Sequence, residues 1–354
     1  MRRFEYMHNH PSRIALVAHD PGGAAVLAAV APALRERGHE LLWIPAGPAA
    51  RLWREAGEYV PDAVDGIAAI EQSLPNLLLT GTSFFKDFER TLWSAARRIG
   101  VPSFAVLDGW TNFKVRFVPL DGSAEYPDAF GVMDEATRAR FAGRCRSRLF
   151  VVGQPHLAAR TERLKRRRRG RPRGSAKRIV FFSEPIAEDY GRAARGFTQF
   201  EVATLAAEAL AGFPGIVMDV KPHPREADAD WRDWLARAPN ARLAAEDTET
   251  LLAAADGVLG MTSTVLLEAC LADIPALSLQ PDRLSPVNSA VDSTVPIVVR
   301  RSAIAAALAE WLAALASPTA PPPWAQALLS GGSEHLAAAV EEMIAGFGSG
   351  KELP

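Results

Sequence analysis

Apolar positions in this chain fall in short unbroken runs, each followed by a polar or glycine-containing loop and then by a longer stretch with helical spacing. Runs of that kind predict strands buried on both faces, as in a parallel sheet. Through the first half they cover Arg13–Ala18, His39–Ile44, Asn76–Leu79, Ser103–Leu107, Ala129–Val132 and Leu149–Val152. Helical spacing lies between them, in an Ala/Leu/Val helix stopped by Gly38, over Ala49–Glu58 and over Phe88–Ile99. The pattern then starts again: strands over Arg178–Phe182, Ile216–Val220, Gly257–Leu259 and Pro275–Leu279, with helices over Thr198–Gly212, Thr248–Ala255 and after Thr264.

Strand, loop, helix, strand repeated twice is most economically an α/β fold of two Rossmann-like, doubly wound parallel-sheet domains. Two such halves joined by a linker imply a cleft between them. The expected organisation is a flexible tail over 1–12, a first domain over 13–157, a basic linker over 158–177 and a second domain over 178–316. Residues 317–354 then supply a Pro-rich break, a helix near Ser333–Ile344 that packs back on the body, and a frayed tail.

A length of 354 residues suits two cores. The hydrophobic fraction of 48% and charged fraction of 23% are those of a soluble globular protein. A net charge of −1 gives no general attraction to nucleic acid or acidic membranes. Two cysteines, Cys145 and Cys270, in unlike surroundings support neither a disulfide framework nor a zinc site, and fit a reducing compartment. No signal-peptide or membrane-spanning run is present, so the expected location is cytoplasmic, with peripheral contact at the inner membrane face left open. That contact would use the abrupt basic run, which holds nine basic residues and no acidic one between Leu164 and Arg178. The run reads either as a solvated linker or as an anionic-lipid patch over 165–178, and it lacks the interleaved aromatics of a nucleic-acid surface.

Candidate chemistry gathers at the expected carboxyl ends of strands. Thr262, Ser263 and Thr264 stand between a strand and a helix, where hydroxyls and unpaired N–H groups can hold an anion or simply cap the helix. One turn on, Glu268 can accept from ribose hydroxyls or be a solvated helix residue. Lys221-Pro222-His223-Pro224-Arg225 follows another strand, and lysine is sparingly used here, six against thirty-four arginines. A compact ammonium, a fixed imidazole and a guanidinium fork together can neutralise a leaving phosphate. In the first half, His19, Asp20 and Asp108 are candidate bases, with turn or cap roles as the alternatives for the two aspartates. Gly22 and Gly23 allow a backbone to approach a ligand closely. Thr82 lies in a further polar loop, and Trp110 can stack on a sugar or serve as packing.

With these motifs in place, the chain resembles the GT-B glycosyltransferase superfamily over nearly its whole length. The segments that carry the likeness are Asp20–Ala24, Thr80–Trp110, Lys221–Pro224 and Gly260–Ala269. The likeness extends to sugar-acid and polysialic-acid transferases, CDP-glycerol glycerophosphotransferases and UDP-N-acetylglucosamine 2-epimerases. It implies that the second half binds a nucleotide-activated donor, with Lys221, His223, Arg225 and Thr262–Thr264 at the phosphates and Glu268 at the ribose. It also implies that the first half holds a glycan or lipid-linked acceptor, with Asp20 or His19 as base, and that neither metal nor other cofactor is needed. The implied activity is glycosyl transfer. Alternatives are 2-epimerisation of a nucleotide sugar, glycerophosphoryl transfer, and a non-catalytic nucleotide-sugar-binding role. The epimerases carry Ser-Gly-Gly-type and His-Arg-Arg-type loops where this chain has Met261-Thr262-Ser263-Thr264 and His223-Pro224-Arg225, which argues against epimerisation. Ser183-Glu184-Pro185 matches no subfamily.

Overall fold

The computed structural model describes residues 11–61, 64–84, 86–118, 124–170, 177–316 and 320–348. Most of the expected N-terminal tail, residues 171–176 of the basic run, part of the Pro-rich break and the end of the expected frayed tail lie outside these described residues. The chain divides into two compact units, one comprising residues up to 159 together with those from 327 onward, the other residues 160–326.

The first unit is built on six parallel strands: β1 (Arg13–Ala18), β2 (Glu40–Pro45), β3 (Leu77–Thr80), β4 (Ser103–Val106), β5 (Ala129–Val132) and β6 (Arg148–Val151). Their order across the sheet is β2-β1-β3-β4-β5-β6. Register pairs Leu16 with Trp43 on one side and with Leu79 on the other, so β1 is central and all its residues after Arg13 are buried. The chain steps from β1 to β2 in one direction and then returns to β3 on the opposite side. That reversal is a topological switch point, where two loops leave the carboxyl edge in opposite directions and a crevice opens between them.

The C-terminal helix Gly332–Gly348 belongs to this unit. Leu336, Val340 and Met343 join the core of Ile14, Leu16, Leu27 and Leu34. Arg37 ties the helix down through Glu334 at 2.6 Å and Glu341 at 2.5 Å.

The second unit also has six parallel strands: β7 (Arg178–Phe182), β8 (Val217–Lys221), β9 (Ala241–Leu243), β10 (Gly257–Gly260), β11 (Ala276–Leu279) and β12 (Ile297–Val298). Their order is β12-β11-β10-β7-β8-β9, with the switch point between β7 and β10. β9 and β12 are the two edges and were not legible as apolar runs, since they have three and two residues.

The structure corrects the expected linker. Its residues 158–169 are not an open connection but part of a helix, Pro155–Arg169. Arg163 and Arg167 reach Glu249 at 3.4 and 3.3 Å, and Lys165 reaches Asp273 at 3.1 Å. Arg168 donates to the carbonyls of Leu252, Ala253 and Ala255, the closest at 2.7 Å. These carbonyls close the helix Thr248–Ala254, whose C-terminal end carries partial negative charge, so cations are favourable there. Much of the basic run is therefore used within its own unit.

Candidate functional site

In the first unit the switch point brings the loop after β1 against the loop after β3. Asp20 sits at the start of the helix Pro21–Glu36, yet its side chain makes no capping bond. Instead one carboxylate oxygen lies 2.7 Å from Nδ1 of His19 and the other accepts the backbone N–H of Phe84 at 2.8 Å. An Nδ1–H donated to Asp20 leaves Nε2 of His19 as an acceptor. The ring has room because residue 47 is glycine: a Cβ there would stand 2.5 Å from Nε2. The pair stays accessible, the His19 and Asp20 side chains being 20% and 27% exposed.

Beneath this pair lies Glu89, on the first turn of the helix Phe88–Arg98. Its Oε1 accepts the backbone N–H of His19 at 2.9 Å and the hydroxyl of Ser83 at 2.8 Å, while Oε2 is buried without a hydrogen-bond partner. Burial pushes the Glu89 carboxyl up, and the nearby charge of Asp20 adds to it; Ser83 and the His19 N–H act the other way. Sequence reasoning missed Glu89. The available signal was a carboxylate sharing the 89, 92, 93, 96 face with Leu92, Trp93 and Ala96, all of them buried.

The remaining first-unit candidates are more committed to the fold than the sequence implied. Asp108 accepts from Arg116 at 2.5 Å, and the same Arg116 nitrogen donates to the carbonyl and hydroxyl of Thr82 at 2.9 Å. Thr82 is buried. The glycine pair is needed by the protein's own contacts: a Cβ on Gly22 would fall 1.7 Å from Oδ2 of Asp108, and one on Gly23 2.9 Å from Cα of Gly81. Trp110 is 4% exposed and donates its indole N–H to Asp134 at 2.6 Å, so it packs and presents no open face for a sugar.

In the second unit the helix start expected to receive phosphate is already taken by a carboxylate of the chain. Glu184, in the loop after β7, crosses the switch point to the start of the helix Thr264–Leu271. Its Oε1 accepts the N–H groups of Thr262 at 2.6 Å and Ser263 at 2.9 Å, and its Oε2 accepts the Thr262 hydroxyl at 2.6 Å. Burial pushes this carboxyl up, against the pull of those three donors. Ser263 is the cap of the helix, accepting from Val265 N–H at 3.2 Å, and Thr264 is its first residue. Each unit thus closes its switch point with a carboxylate from the loop after its first strand, Asp20 on Phe84 and Glu184 on Thr262.

Lys221 ends β8 opposite Phe182, and among the described residues its ammonium has no ion-pair partner. His223 comes next but one, its backbone N–H held by Glu226, whose other oxygen accepts the Ser183 hydroxyl at 2.8 Å. Nδ1 of His223 accepts the Arg225 N–H at 3.2 Å. Burial, with the neighbouring Arg225 charge, holds the His223 imidazole below the usual histidine range, and Asp189 opposes this weakly. The Arg225 fork does not stand free: both of its terminal nitrogens lie 2.6 Å from the Asp189 carboxylate. Nor is Glu268 a solvated helix residue, since it is buried against Arg160 at 2.9 Å. Burial pushes its carboxyl up while Arg160 opposes. Among the described residues no cluster of three or more His, Cys, Asp or Glu side chains is placed to hold a metal ion, and no helix is long and apolar enough to cross a membrane.

Comparison with solved structures gives the class of fold. UDP-GlcNAc 2-epimerase from Neisseria meningitidis, solved bound to UDP-GlcNAc, matches with a TM-score of 0.67 at 12% identity, over 93% of this chain and 100% of that one. The calicheamicin glycosyltransferase CalG4 matches with a TM-score of 0.56 at 15% identity, over 98% and 100%. MurG from Acinetobacter baumannii matches with a TM-score of 0.52 at 12% identity, over 94% and 100%. The chain therefore has the GT-B-like fold of two Rossmann-like units. No protein-family model matches the chain, and no curated protein matches its sequence.

Proposed function

We propose that this protein transfers a glycosyl group from a nucleotide-activated donor to a hydroxyl of a glycan or lipid-linked acceptor. The observation that carries this reading is the His19–Asp20 pair at the first unit's switch point, 2.7 Å apart and partly exposed. Asp20 holds Nδ1, so Nε2 of His19 takes the proton of the acceptor hydroxyl as its oxygen attacks the anomeric carbon and the nucleotide leaves. Within the second unit, taken by itself, Lys221 is the cation suited to a donor's phosphate. The solved relatives in fold include one bound to UDP-GlcNAc and one bound to UDP, which supports a nucleotide-sugar ligand.

A second reading, epimerisation of a nucleotide sugar at C2, is supported by the same base and by the several 2-epimerases among the fold relatives. One experiment separates the two. The protein is incubated with UDP-GlcNAc and other nucleotide sugars, with and without saccharide acceptors, and products are resolved by chromatography. Nucleotide release that depends on acceptor and is lost in His19→Ala and Asp20→Asn supports transfer. Acceptor-free formation of the C2 epimer selects the second reading, and no turnover of any nucleotide sugar removes both.

A further inference from the structure

The contact made by Glu184 bears on the donor site of the proposed function, and its interpretation rests on that reading. The anion position at the helix Thr264–Leu271 has three donors facing outward, Thr262 N–H, Ser263 N–H and the Thr262 hydroxyl, and all three are given to one carboxylate of the same chain. The fold does not require a charge there. A glutamine carbonyl can accept the N–H groups and its amide can reach the Thr262 hydroxyl, each more weakly than the charged carboxylate holds them. The carboxylate is instead held in a place where burial disfavours it. A buried carboxylate, Glu226, stands at the same sheet edge between Ser183 and His223. Lys221, at the end of the adjacent strand and opposite Phe182, is a cation without an ion-pair partner among the described residues.

We infer that Glu184 is a specificity-determining residue, a resident anion that competes with the donor's phosphate for Thr262 and Ser263. A phosphate reaches these donors only when the Glu184 side chain turns out of the helix end. Until then a nucleotide is held through its base and sugar, and its phosphates add little to affinity.

The test is calorimetric titration of the full chain with UDP, CDP, GDP and dTDP and with the matching nucleosides, comparing wild type with Glu184→Gln. The expected result is that Glu184→Gln binds one of the diphosphates about tenfold or more tightly than wild type, the scale of one charge-assisted contact, with nucleoside affinity unchanged. Wild type binding that diphosphate as tightly as the variant, or more tightly, overturns the inference while leaving the donor site in place. No binding of any nucleotide or nucleoside by either protein overturns both the inference and the proposed function. If Glu184→Gln does not fold, Glu184→Asp serves, since it is one methylene too short to reach both N–H groups. The same gain is expected from it, and unchanged diphosphate affinity in a folded Glu184→Asp counts against the inference.

Discussion

The buried carboxylate of Glu89 accepts the backbone N–H of His19 at 2.9 Å, joining the end of β1 to the helix that follows β3. It thereby fixes the starting point of the imidazole that the proposed chemistry uses. Removing it in Glu89→Ala leaves the His19 N–H and the Ser83 hydroxyl unsatisfied and opens a cavity, at a cost of about 3 kcal/mol. Urea denaturation measures that loss, and a cost below about 1 kcal/mol would show that the contact is dispensable.

The same group makes stability depend on pH. Its carboxyl is raised in the folded state above the ordinary value of 4.5, so the folded protein holds the proton longer than the unfolded chain. Its contribution is complete below that value and is lost as pH rises through the folded-state pKa. Glu184, Glu226 and Glu268 are raised as well and act with the same sign. Glu89→Gln is expected to lose less stability than wild type between mildly acidic and neutral pH. Parallel urea midpoints for the two proteins across that range would contradict this.

His223 works in the opposite sense. Its imidazole is held below the ordinary 6.5, so its contribution is present above that value and fades as pH falls. In the proposed function it contacts the donor phosphate together with Lys221. In a thermal-shift panel of UDP, CMP, CDP, GDP and dTDP, a rise in melting temperature with one nucleotide that is lost in Lys221→Ala, His223→Ala would locate the donor site. An equal shift in the double variant would place the nucleotide elsewhere.

The glycines after Asp20 are expected to tolerate substitution unequally. Gly23→Ala sets a Cβ 2.9 Å from the backbone of Gly81, which has no way to yield, and is expected to cost about 2 kcal/mol or more. Gly22→Ala instead displaces the Asp108 carboxylate from Arg116. In an Asp108→Ala background the Gly22 change should be nearly neutral, and a double-mutant cycle by chemical denaturation reads that coupling. Full additivity would mean that the two sites do not share the space.

The basic helix gives a prediction with two readouts. Arg168→Ala removes the cap on the carbonyls of Leu252, Ala253 and Ala255 and is expected to cost about 1 kcal/mol of stability. Deleting Lys165–Arg173 tests the lipid idea: binding of wild type to anionic liposomes that vanishes in the deletion would support a membrane role, and equal binding would dispose of it.

The sequence by itself determined the strand and helix pattern and hence the α/β class. Short apolar runs such as RIALVA and RIVFF, bounded by polar loops and alternating with helical spacing, read as strands covered on both faces. It also placed His19, Asp20, Lys221, His223 and Thr262 at strand ends, because a polar residue directly after a buried run has to lie at the sheet edge. Tertiary structure alone decided what each side chain faces. Nothing local marks Glu184 as the occupant of the helix end at Thr262, because the two are brought together by the strand order β10-β7, which a linear pattern does not encode. The same holds for Arg225 on Asp189 and Arg160 on Glu268, whereas Arg116 and Asp108 are eight residues apart in the connection after β4. In each of these a charge that reads as available for a ligand is neutralised by a partner: Glu268 and Arg116 are buried, where an unpaired ion costs more than a paired one, while the exposed Arg225 is held by a two-point fork on Asp189.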